Sequence, residues 1–275
     1  MLYIGTSGFS YQDWIGPFYP ENIDKGNMLD LYARQFNTVE INSSYYRIMP
    51  AAVFYHLQRK VPADFKFSVK ANQAMTHIRD KNETLFEEFK ASLKPLLDHH
   101  KLGCILAQFP YSFHYNSTNL DYLLWLKEKM DGLPLVIEFR NNHWIKDVVF
   151  DFLKKNEMGF CAVDQPPLEG LIPPLAIATS QLGYVRFHGR NKEKWWQPEQ
   201  AYQRYDYLYS EQELQEWVPK IRQIANQTTD QYIFMNNHYK GKAVKNALML
   251  MKLLQQKMKT DSTALNKGTQ DVVGE

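Results

Sequence analysis

Short apolar runs recur along the chain and alternate with stretches whose apolar residues are spaced as on one face of a helix. Eight of these runs predict β-strands, at residues 3–7, 38–42, 65–70, 103–109, 135–140, 160–164, 184–188 and 232–236. Their first residues lie 24 to 48 positions apart, which is typical of repeated strand-plus-helix units. Eight units in succession predict a single-domain α/β fold, the (β/α)8 TIM barrel. The alternative architecture, an open doubly wound sheet, does not account for eight strand-plus-helix units in succession.

The segments between the strands carry helix signals. Three of them are amphipathic, at residues 120–130, 148–158 and 243–258, and motifs beginning at Thr84 and Ser210 match a capping box. Two connections depart from the regular pattern. Four prolines between residues 165 and 183 exclude a regular helix after strand six, and the long loop 189–209 after strand seven is typical of a lid or a partner surface. We expect a barrel domain over 1–259 and a polar tail over 260–275.

Composition narrows the class of protein. The chain has 275 residues, close to the roughly 250 of a TIM barrel, with 44% apolar and 23% charged residues. A net charge of +2 creates no general field for nucleic acid or membranes, so either would need a local patch. The sequence shows neither a membrane-spanning apolar run nor a secretion signal, and we expect a cytoplasmic protein. Cys104 and Cys161 are expected to be buried thiols, with a disulfide between them as the alternative.

Charged residues are concentrated at the ends of the predicted strands. Side chains alternate between faces, so packing Ile137 and Phe139 against helices turns Glu138 and Arg140 inward. The same reasoning predicts three acids and four bases at one mouth of the barrel: Glu40, Glu138, Asp164, Lys70, Arg140, Arg186 and Arg190. Barrel enzymes carry their active sites at this end. The pattern therefore predicts a functional site, and a layer of internal salt bridges without chemistry is the alternative.

Nine motifs that follow one another through the chain carry a resemblance to a known family. They are GTSGFSY with Trp14, then FYP, TVEINSSYY, VK with TH, QFP, EFR with Trp144, YVRFHGR, YDYLYS, and FMNN ahead of Gly241. From Leu2 to about residue 250 the chain resembles the YecE-like family, a bacterial domain of unknown function with the number seventy-two. The resemblance implies a TIM barrel, similar to the superfamily of xylose isomerase and endonuclease IV, and implies no reaction. His143 departs from the family's usual Ser and is assigned no role.

The charges at the mouth favour an enzyme that binds a small anionic polar substrate, such as a sugar phosphate or a nucleotide-like molecule. Its anion clamp would be Lys70, Arg140, Arg186 and Arg190. Its catalytic groups would be Glu138 or Asp164 as general base, His188 as acid or proton shuttle, and Glu40 across the mouth. Hydroxyl groups or an oxyanion would bind the amides of Asn42, Gln108, Asn236 and Asn237. A ring would stack on Tyr11, Trp14, Tyr45, Trp144 or the pair Trp195 and Trp196, for each of which rim packing is the alternative. No cofactor is predicted.

Three alternatives stay open. The first is a metal-dependent phosphodiesterase by analogy with endonuclease IV, with Glu138, Asp164 and His188 as ligands of a divalent ion and Glu40 across the mouth. Arg140 and Arg186 on the same face argue against this metal. The second is nucleic-acid binding by Lys192, Lys194, Arg204 and the aromatic residues of the long loop, whose charge Glu193, Glu199 and Asp206 dilute. The third is a barrel that binds a ligand without catalysis. The sequence predicts no membrane partner and leaves the oligomeric state open.

Overall fold

The structure, a computed structural model, describes residues 1–79 and 81–268 and contains one eight-stranded parallel sheet. Its strands are β1 (Leu2–Thr6), β2 (Thr38–Ile41), β3 (Lys66–Lys70), β4 (Leu102–Gln108), β5 (Leu135–Glu138), β6 (Gly159–Asp164), β7 (Leu182–Phe187) and β8 (Asp230–Met235). Each strand from β2 to β7 pairs with the next one, and β8 also pairs with β1. Each predicted strand overlaps an observed one to within two residues at both ends. The predicted TIM barrel is therefore confirmed.

The barrel closes between β1 and β2. Ser7 forms a parallel bridge with Glu40, and the backbone N–H of Gly8 donates to the carbonyl oxygen of Glu40 at 2.8 Å. Gly5 permits this close approach, because a Cβ atom there would lie 2.2 Å from the carbonyl oxygen of Thr38. A side chain at position 5 would push the two strands apart.

Helices cover the outside of the sheet. They are α1 (Met28–Tyr32), α2 (Ser43–Tyr46), α3 (Ala51–Arg59), α4 (Glu83–Ser92), α5 (Lys94–Asp98), α6 (Ser117–Lys129), α7 (Asp147–Lys155), α8 (Glu211–Gln215), α9 (Val218–Ala225) and α10 (Lys242–Gly268). The three predicted amphipathic helices correspond to α6, α7 and α10. Within the described residues, no helix combines the length and the apolarity that crossing a membrane requires.

The two predicted capping boxes have different outcomes. At Ser210 the box is formed, because the Ser210 hydroxyl accepts from the N–H of Glu213 at 3.2 Å and Glu213 accepts from the N–H of Ser210 at 2.8 Å. At Thr84 the prediction is wrong. The helix already begins at Glu83 after Asn82, whose side chain makes no capping hydrogen bond, so Thr84 lies inside the first turn.

Both irregular connections are present. Residues 165–181, all within the described part of the chain, contain no helix, as their prolines require. The loop 189–209 contains only the short 3-10 helix Ala201–Tyr205. The last helix continues to Gly268, so residues 260–268 of the expected tail are helical, while 269–275 lie outside the described residues. The domain boundary at residue 259 stays a prediction.

The interior of the barrel is unusually polar toward the carboxyl ends of the strands. At the amino end the stacked rings of Tyr3 and Tyr232 fill the interior, with centroids 4.8 Å apart. Above them, the hydroxyl of Tyr184 lies 2.7 Å from the Ser68 hydroxyl and donates to Glu40 at 2.7 Å. The hydroxyl groups of Tyr184 and Ser68 thus lie directly beneath the charged layer described next.

Candidate functional site

A buried arginine connects three strands at the centre of the charged layer. The Nη1 atom of Arg186 on β7 donates to Oε2 of Glu138 at 2.7 Å, and its Nη2 atom donates to Oε1 of Glu40 at 2.6 Å. Only 2% of the Arg186 surface is exposed. Burial disfavours the charge of this guanidinium, but Glu138 and Glu40 outweigh that effect and raise its pKa well above the usual value. Arg186 is therefore a permanent cation clamped by two carboxylates.

Glu138 is surrounded by cations and hydrogen-bond donors. Besides Arg186, the Nε atom of Arg140 lies 2.8 Å from Oε1 of Glu138, and Nε2 of His188 lies 3.1 Å from the same oxygen. Burial raises the pKa of the Glu138 carboxyl, but Arg140, Arg186 and His188 together hold that pKa well below its usual value. A carboxylate in these surroundings is a weak base.

His188 is fully buried between β5 and β8. The side-chain nitrogen of Asn236 lies 3.0 Å from Nδ1 of His188. Since an amide nitrogen only donates, Nδ1 accepts and Nε2–H donates to Glu138. Burial and the nearby Arg140 lower the pKa of His188 to about 3. A neutral imidazole with both nitrogens engaged does not favour the predicted role of acid or shuttle.

A cavity of about 860 Å³ opens above this layer, between the strand ends and the loop 189–209. Four basic side chains line it, namely Lys70, Arg140, Arg186 and Arg204. Among the described residues no Asp or Glu lines it, because Glu40 and Glu138 lie beneath Arg186. Of the predicted binding residues, Tyr11, Asn42, Gln108 and Asn236 also line the cavity. The cavity wall is thus more positively charged than the sequence predicts, since three acids were expected at the mouth beside the four bases.

Lys70 extends from the end of β3 into this cavity. Its Nζ atom donates to Oε1 of Gln108 at 2.9 Å and lies 4.5 Å from the centre of the Tyr45 ring. Burial, followed by repulsion from Arg186, lowers the pKa of Lys70 to about 7. Lys70 is therefore able to gain and lose a proton at neutral pH.

Aromatic side chains form much of the cavity wall. The long loop contributes Trp195, Trp196 and Tyr205, and other segments contribute Phe9, Tyr11, Tyr45, Tyr46 and Tyr111. Trp196 is 50% exposed, and its ring meets that of Tyr111 edge-on with centroids 5.1 Å apart. The loop is thus held beside the strand ends by an aromatic contact that leaves a large ring face free.

Asp164 and Arg190, both predicted at the mouth, lie outside the barrel. Asp164 accepts from Nε and Nη2 of Arg190 at 2.9 and 2.7 Å and from Nε1 of Trp217 at 2.6 Å. The inward orientation predicted for Asp164 is wrong because Asp164 pairs with Phe187, whose ring packs on Trp217 in the helical layer. Arg190 follows Gly189, whose φ of +91° ends the alternation of β7.

Three further predicted binding residues are buried away from the cavity: Trp14, Trp144 and Asn237. Nε1 of Trp14 donates to the carbonyl oxygen of His238 at 2.7 Å, and Nε1 of Trp144 donates to that of Phe113 at 2.5 Å. Asn237 donates to the side-chain oxygen of an asparagine on α10 at 2.8 Å. For the two tryptophans, packing rather than ligand contact is what the structure shows.

Several cavity residues are absent from the predicted site. They are His77, Tyr46, Tyr111, Tyr205 and His238, and Arg204 was expected only as part of a nucleic-acid patch. His77 belongs to one of the recognised motifs and follows β3 closely, so its position after a strand end was an available signal. Tyr46 and Tyr205 also belong to recognised motifs, but aromatic residues are common throughout this chain, so neither these two nor Tyr111 stands out as a cavity residue.

The metal ligands considered from the sequence are not brought together. Glu138 and His188 are neighbours, but Asp164 faces the helical layer, and Arg140 and Arg186 bind the oxygens of Glu138. In residues 1–79 and 81–268 no group of three or more His, Cys, Asp or Glu residues is arranged to hold a metal ion. Cys104 and Cys161 are free and buried in the barrel interior, as expected.

Comparisons with known proteins agree with this architecture. The family model described as "Protein of unknown function DUF72" matches residues 3–270. The UPF0759 protein YunF of Bacillus subtilis (strain 168) is 35% identical over 270 residues, which cover 92% of this chain and 95% of YunF. A DUF72 family crystal structure from Thermotoga maritima MSB8 has a TM-score of 0.86 at 38% identity, covering 93% of this chain and 99% of that chain. A second, from Enterococcus faecalis V583, has a TM-score of 0.83 at 27% identity, covering 93% and 96%.

Proposed function

The chain belongs to the DUF72 family of unknown function, and from this premise we propose that it binds a small anionic substrate in the cavity and acts on it by proton transfer. One observation carries the proposal. Among the described residues, the cavity wall has four basic side chains and no acidic one. Guanidinium and ammonium groups are suited to binding phosphate or carboxylate, and no described carboxylate on the cavity wall would repel such a ligand.

The charge balance leaves positive groups for a ligand. Glu40 and Glu138 together offset Arg186 and Arg140, which leaves Lys70 and Arg204 uncompensated. Arg204 donates its Nε atom to the carbonyl oxygen of Trp195 and forms no salt bridge with any described carboxylate. The terminal nitrogens of Arg140 likewise have no acceptor among the described residues. A phosphate held by Arg140 and Arg204, close to Lys70, would balance this excess of positive charge.

The remaining wall suits a polar molecule with a ring. The side-chain oxygen of Asn42 and the Nε atom of Arg186 are buried and have no partner among the described residues, so a ligand hydroxyl would satisfy them. The aromatic residues of the long loop offer flat faces against which a sugar or a base packs. These features support a sugar phosphate or a nucleotide-like molecule as the ligand class.

Lys70 is better suited to proton transfer than the residues predicted for that role. A general acid or base works best with a pKa near the operating pH, and the pKa of Lys70 is about 7. Glu138 and His188 have pKa values well below that range. We assign Glu138 the role of fixing Arg140 and Arg186, and Lys70 the role of acid or base.

Calorimetric titration with sulfate tests the anion site directly. We expect Arg140→Gln and Arg204→Gln each to weaken sulfate binding about tenfold, which corresponds to about 1.4 kcal/mol. Lys155→Gln is the matched control, because Lys155 is exposed at the end of α7, on the opposite side of the barrel. Unchanged affinity in both arginine variants, with circular dichroism showing intact folds, would contradict the proposal.

A further inference from the structure

Lys70 differs from Arg140 and Arg186 in the cavity wall because its hydrogen-bond acceptor is a neutral side chain and not a carboxylate. It is the last residue of β3, so its amine reaches the carboxyl ends of the strands. Its Nζ atom hydrogen-bonds to the neutral amide of Gln108 and forms no salt bridge with any Asp or Glu in the described part of the chain. A neutral acceptor fixes the position of the amine and stabilises its positive charge less than a carboxylate would. This is the arrangement of a lysine that can lose its proton.

The surroundings of Lys70 also favour the neutral amine. Burial and the cations Arg186 and Arg140 lower the pKa of the amine to about 7. They outweigh Glu138 and Glu40, which raise the pKa, and the ring of Tyr45, whose cation–π contact 4.5 Å from Nζ favours the charged form. A substantial fraction of the Lys70 side chains is therefore unprotonated at pH 7. For an ordinary lysine with a pKa near 10.4 the fraction is roughly one in 2,500. The unprotonated amine is the form that attacks a carbonyl group.

We propose that Lys70 is a nucleophile that forms an imine with the carbonyl carbon of a phosphorylated aldehyde or ketone. The inference rests on the anion site proposed above, since Arg140 and Arg204 hold the phosphate while the carbonyl group meets Nζ. Both arginines line the same cavity as Lys70, and its volume of about 860 Å³ accommodates an open-chain sugar phosphate. A cavity with an anion clamp and a neutral amine selects a ligand that carries both an anionic group and a carbonyl group.

The chemical step balances without any further reactant. The lone pair of Nζ attacks the carbonyl carbon, a C–N bond forms, and the C=O π bond breaks as the oxygen takes a proton. The resulting carbinolamine expels that oxygen as water. In total, one amine, one carbonyl group and one proton give one iminium ion and one water molecule.

His77 lies close to Lys70 in the cavity wall. It lines the cavity, and its ring packs edge-on against Tyr45 with centroids 5.1 Å apart, so Tyr45 contacts both His77 and Lys70. Its Nδ1 atom lies 2.9 Å from the hydroxyl of Thr76. Burial, and next Lys70, lower the pKa of His77 to about 4, so the imidazole is neutral at pH 7 and adds no positive charge beside the amine.

Reductive labelling with pyridoxal 5′-phosphate tests the inference, because this probe carries an aldehyde and a phosphate. The full-length protein is treated with the probe and sodium cyanoborohydride, and modified peptides are mapped by mass spectrometry. Each reduced adduct adds the mass of the probe less one oxygen atom. At pH 7 we expect Lys70 to be labelled at least tenfold faster than any other lysine. Pyridoxal, which lacks the phosphate, should label Lys70 at least tenfold more slowly than its phosphate.

Another buried lysine serves as an internal control. The pKa of Lys101 is also lowered by burial, but its amine donates to the carbonyl oxygens of Gln58 and Val61 at the amino end of β4. We expect Lys101 to be labelled slowly, because a lowered pKa outside the anion site is not sufficient. Labelling of Lys101 as fast as Lys70 would overturn the inference.

Two variants separate this inference from the proposed anion site. Lys70→Arg keeps a positive charge and removes the nucleophile, so sulfate binding should stay within about threefold while labelling at position 70 is lost. Lys70→Met should lose the labelling and also weaken sulfate binding. If the wild-type protein binds sulfate in the cavity but Lys70 reacts no faster than exposed lysines, the imine is refuted and the anion site stands. If the protein binds no sulfate and Lys70 is inert, both proposals fail.

Discussion

Arg140 and Glu138, two positions apart at the end of β5, form a salt bridge in which Nε of Arg140 lies 2.8 Å from Oε1 of Glu138. The contact uses only the inner nitrogen of the guanidinium group. Among the described residues the two terminal nitrogens have no acceptor, and Arg140 lines the cavity. The carboxylate therefore fixes the arginine from below and leaves the pair of nitrogens that binds phosphate as a fork. This relationship explains how a layer of buried charges can support a binding site above it.

Loss of the Glu138 charge is expected to destabilise the protein. Glu138→Gln leaves Arg186 with one carboxylate instead of two and Arg140 with none, and breaking a buried pair of this kind costs about 3–5 kcal/mol. For a domain of this size we expect the melting temperature to fall by about 10 °C. Calorimetric melting of Glu138→Gln beside Glu88→Gln, an exposed control on α4, provides the test. Equal melting temperatures for the two variants would show that the charged layer does not contribute to stability.

The ion pair outside the barrel is expected to matter for folding and not for ligand binding. Asp164→Asn removes the charge that Arg190 and Trp217 bind and should lower the free energy of unfolding by about 3 kcal/mol. Sulfate affinity should stay within about twofold, because neither Asp164 nor Arg190 lines the cavity. Urea unfolding and calorimetry on the same sample measure both quantities. A folded Asp164→Asn protein that no longer binds sulfate would contradict this prediction and show that Asp164 contributes to ligand binding.

Sulfate binding is expected to depend on pH through Lys70. The pKa of Lys70 is lowered to about 7, so the side chain is protonated at pH 6 and mostly neutral at pH 8. Sulfate keeps its charge in this range, and affinity should therefore fall by about tenfold from pH 6 to pH 8. His77, with a pKa of about 4, and His188, with a pKa of about 3, stay neutral throughout and add no slope. In Lys70→Met the pH dependence should disappear; if it persists, another group is responsible.

The exposed tryptophan of the loop is expected to distinguish nucleotides from sugar phosphates. Stacking of a base on an aromatic side chain contributes about 1–3 kcal/mol, so Trp196→Ala should weaken adenosine monophosphate binding by about fivefold or more. Ribose 5-phosphate, which has no base, should bind the variant and the wild type alike. Trp196 is half exposed, so the melting temperature should hardly change. Equal loss for both ligands would mean that Trp196 shapes the cavity instead of stacking on a base.

The sequence predicts the strands and part of the site for a clear physical reason. At the carboxyl ends of β5 and β7 apolar and charged residues alternate, so packing of the outer face places Glu138 and Arg186 in the interior. In β6 the run GFCAVD is apolar up to its last residue, and both faces of the strand are buried. Such a run does not show which way the Asp164 side chain points. Its orientation follows from the pairing of Asp164 with Phe187, which only the structure shows.

The lowered pKa of Lys70 has a different origin. It depends on burial at the end of β3 and on the nearby Arg186, neither of which is visible in the order of residues. The sequence identifies Lys70 as a strand-end cation, and only the structure shows that its partner is a neutral amide. The aromatic wall is only partly hidden from the sequence. The sequence predicts Tyr11, Tyr45, Trp195 and Trp196 as stacking residues, and all four line the cavity, whereas Tyr205 reaches it through the course of an irregular loop.

A crystal structure of the protein with selenate, an analogue of sulfate with an anomalous signal, tests the anion site most directly. The account predicts an anomalous peak inside the cavity, within hydrogen-bonding distance of the terminal nitrogens of Arg140 and of Arg204 or Lys70. Selenate peaks confined to other surfaces, with the cavity free of selenate at a concentration that saturates binding in solution, would contradict it.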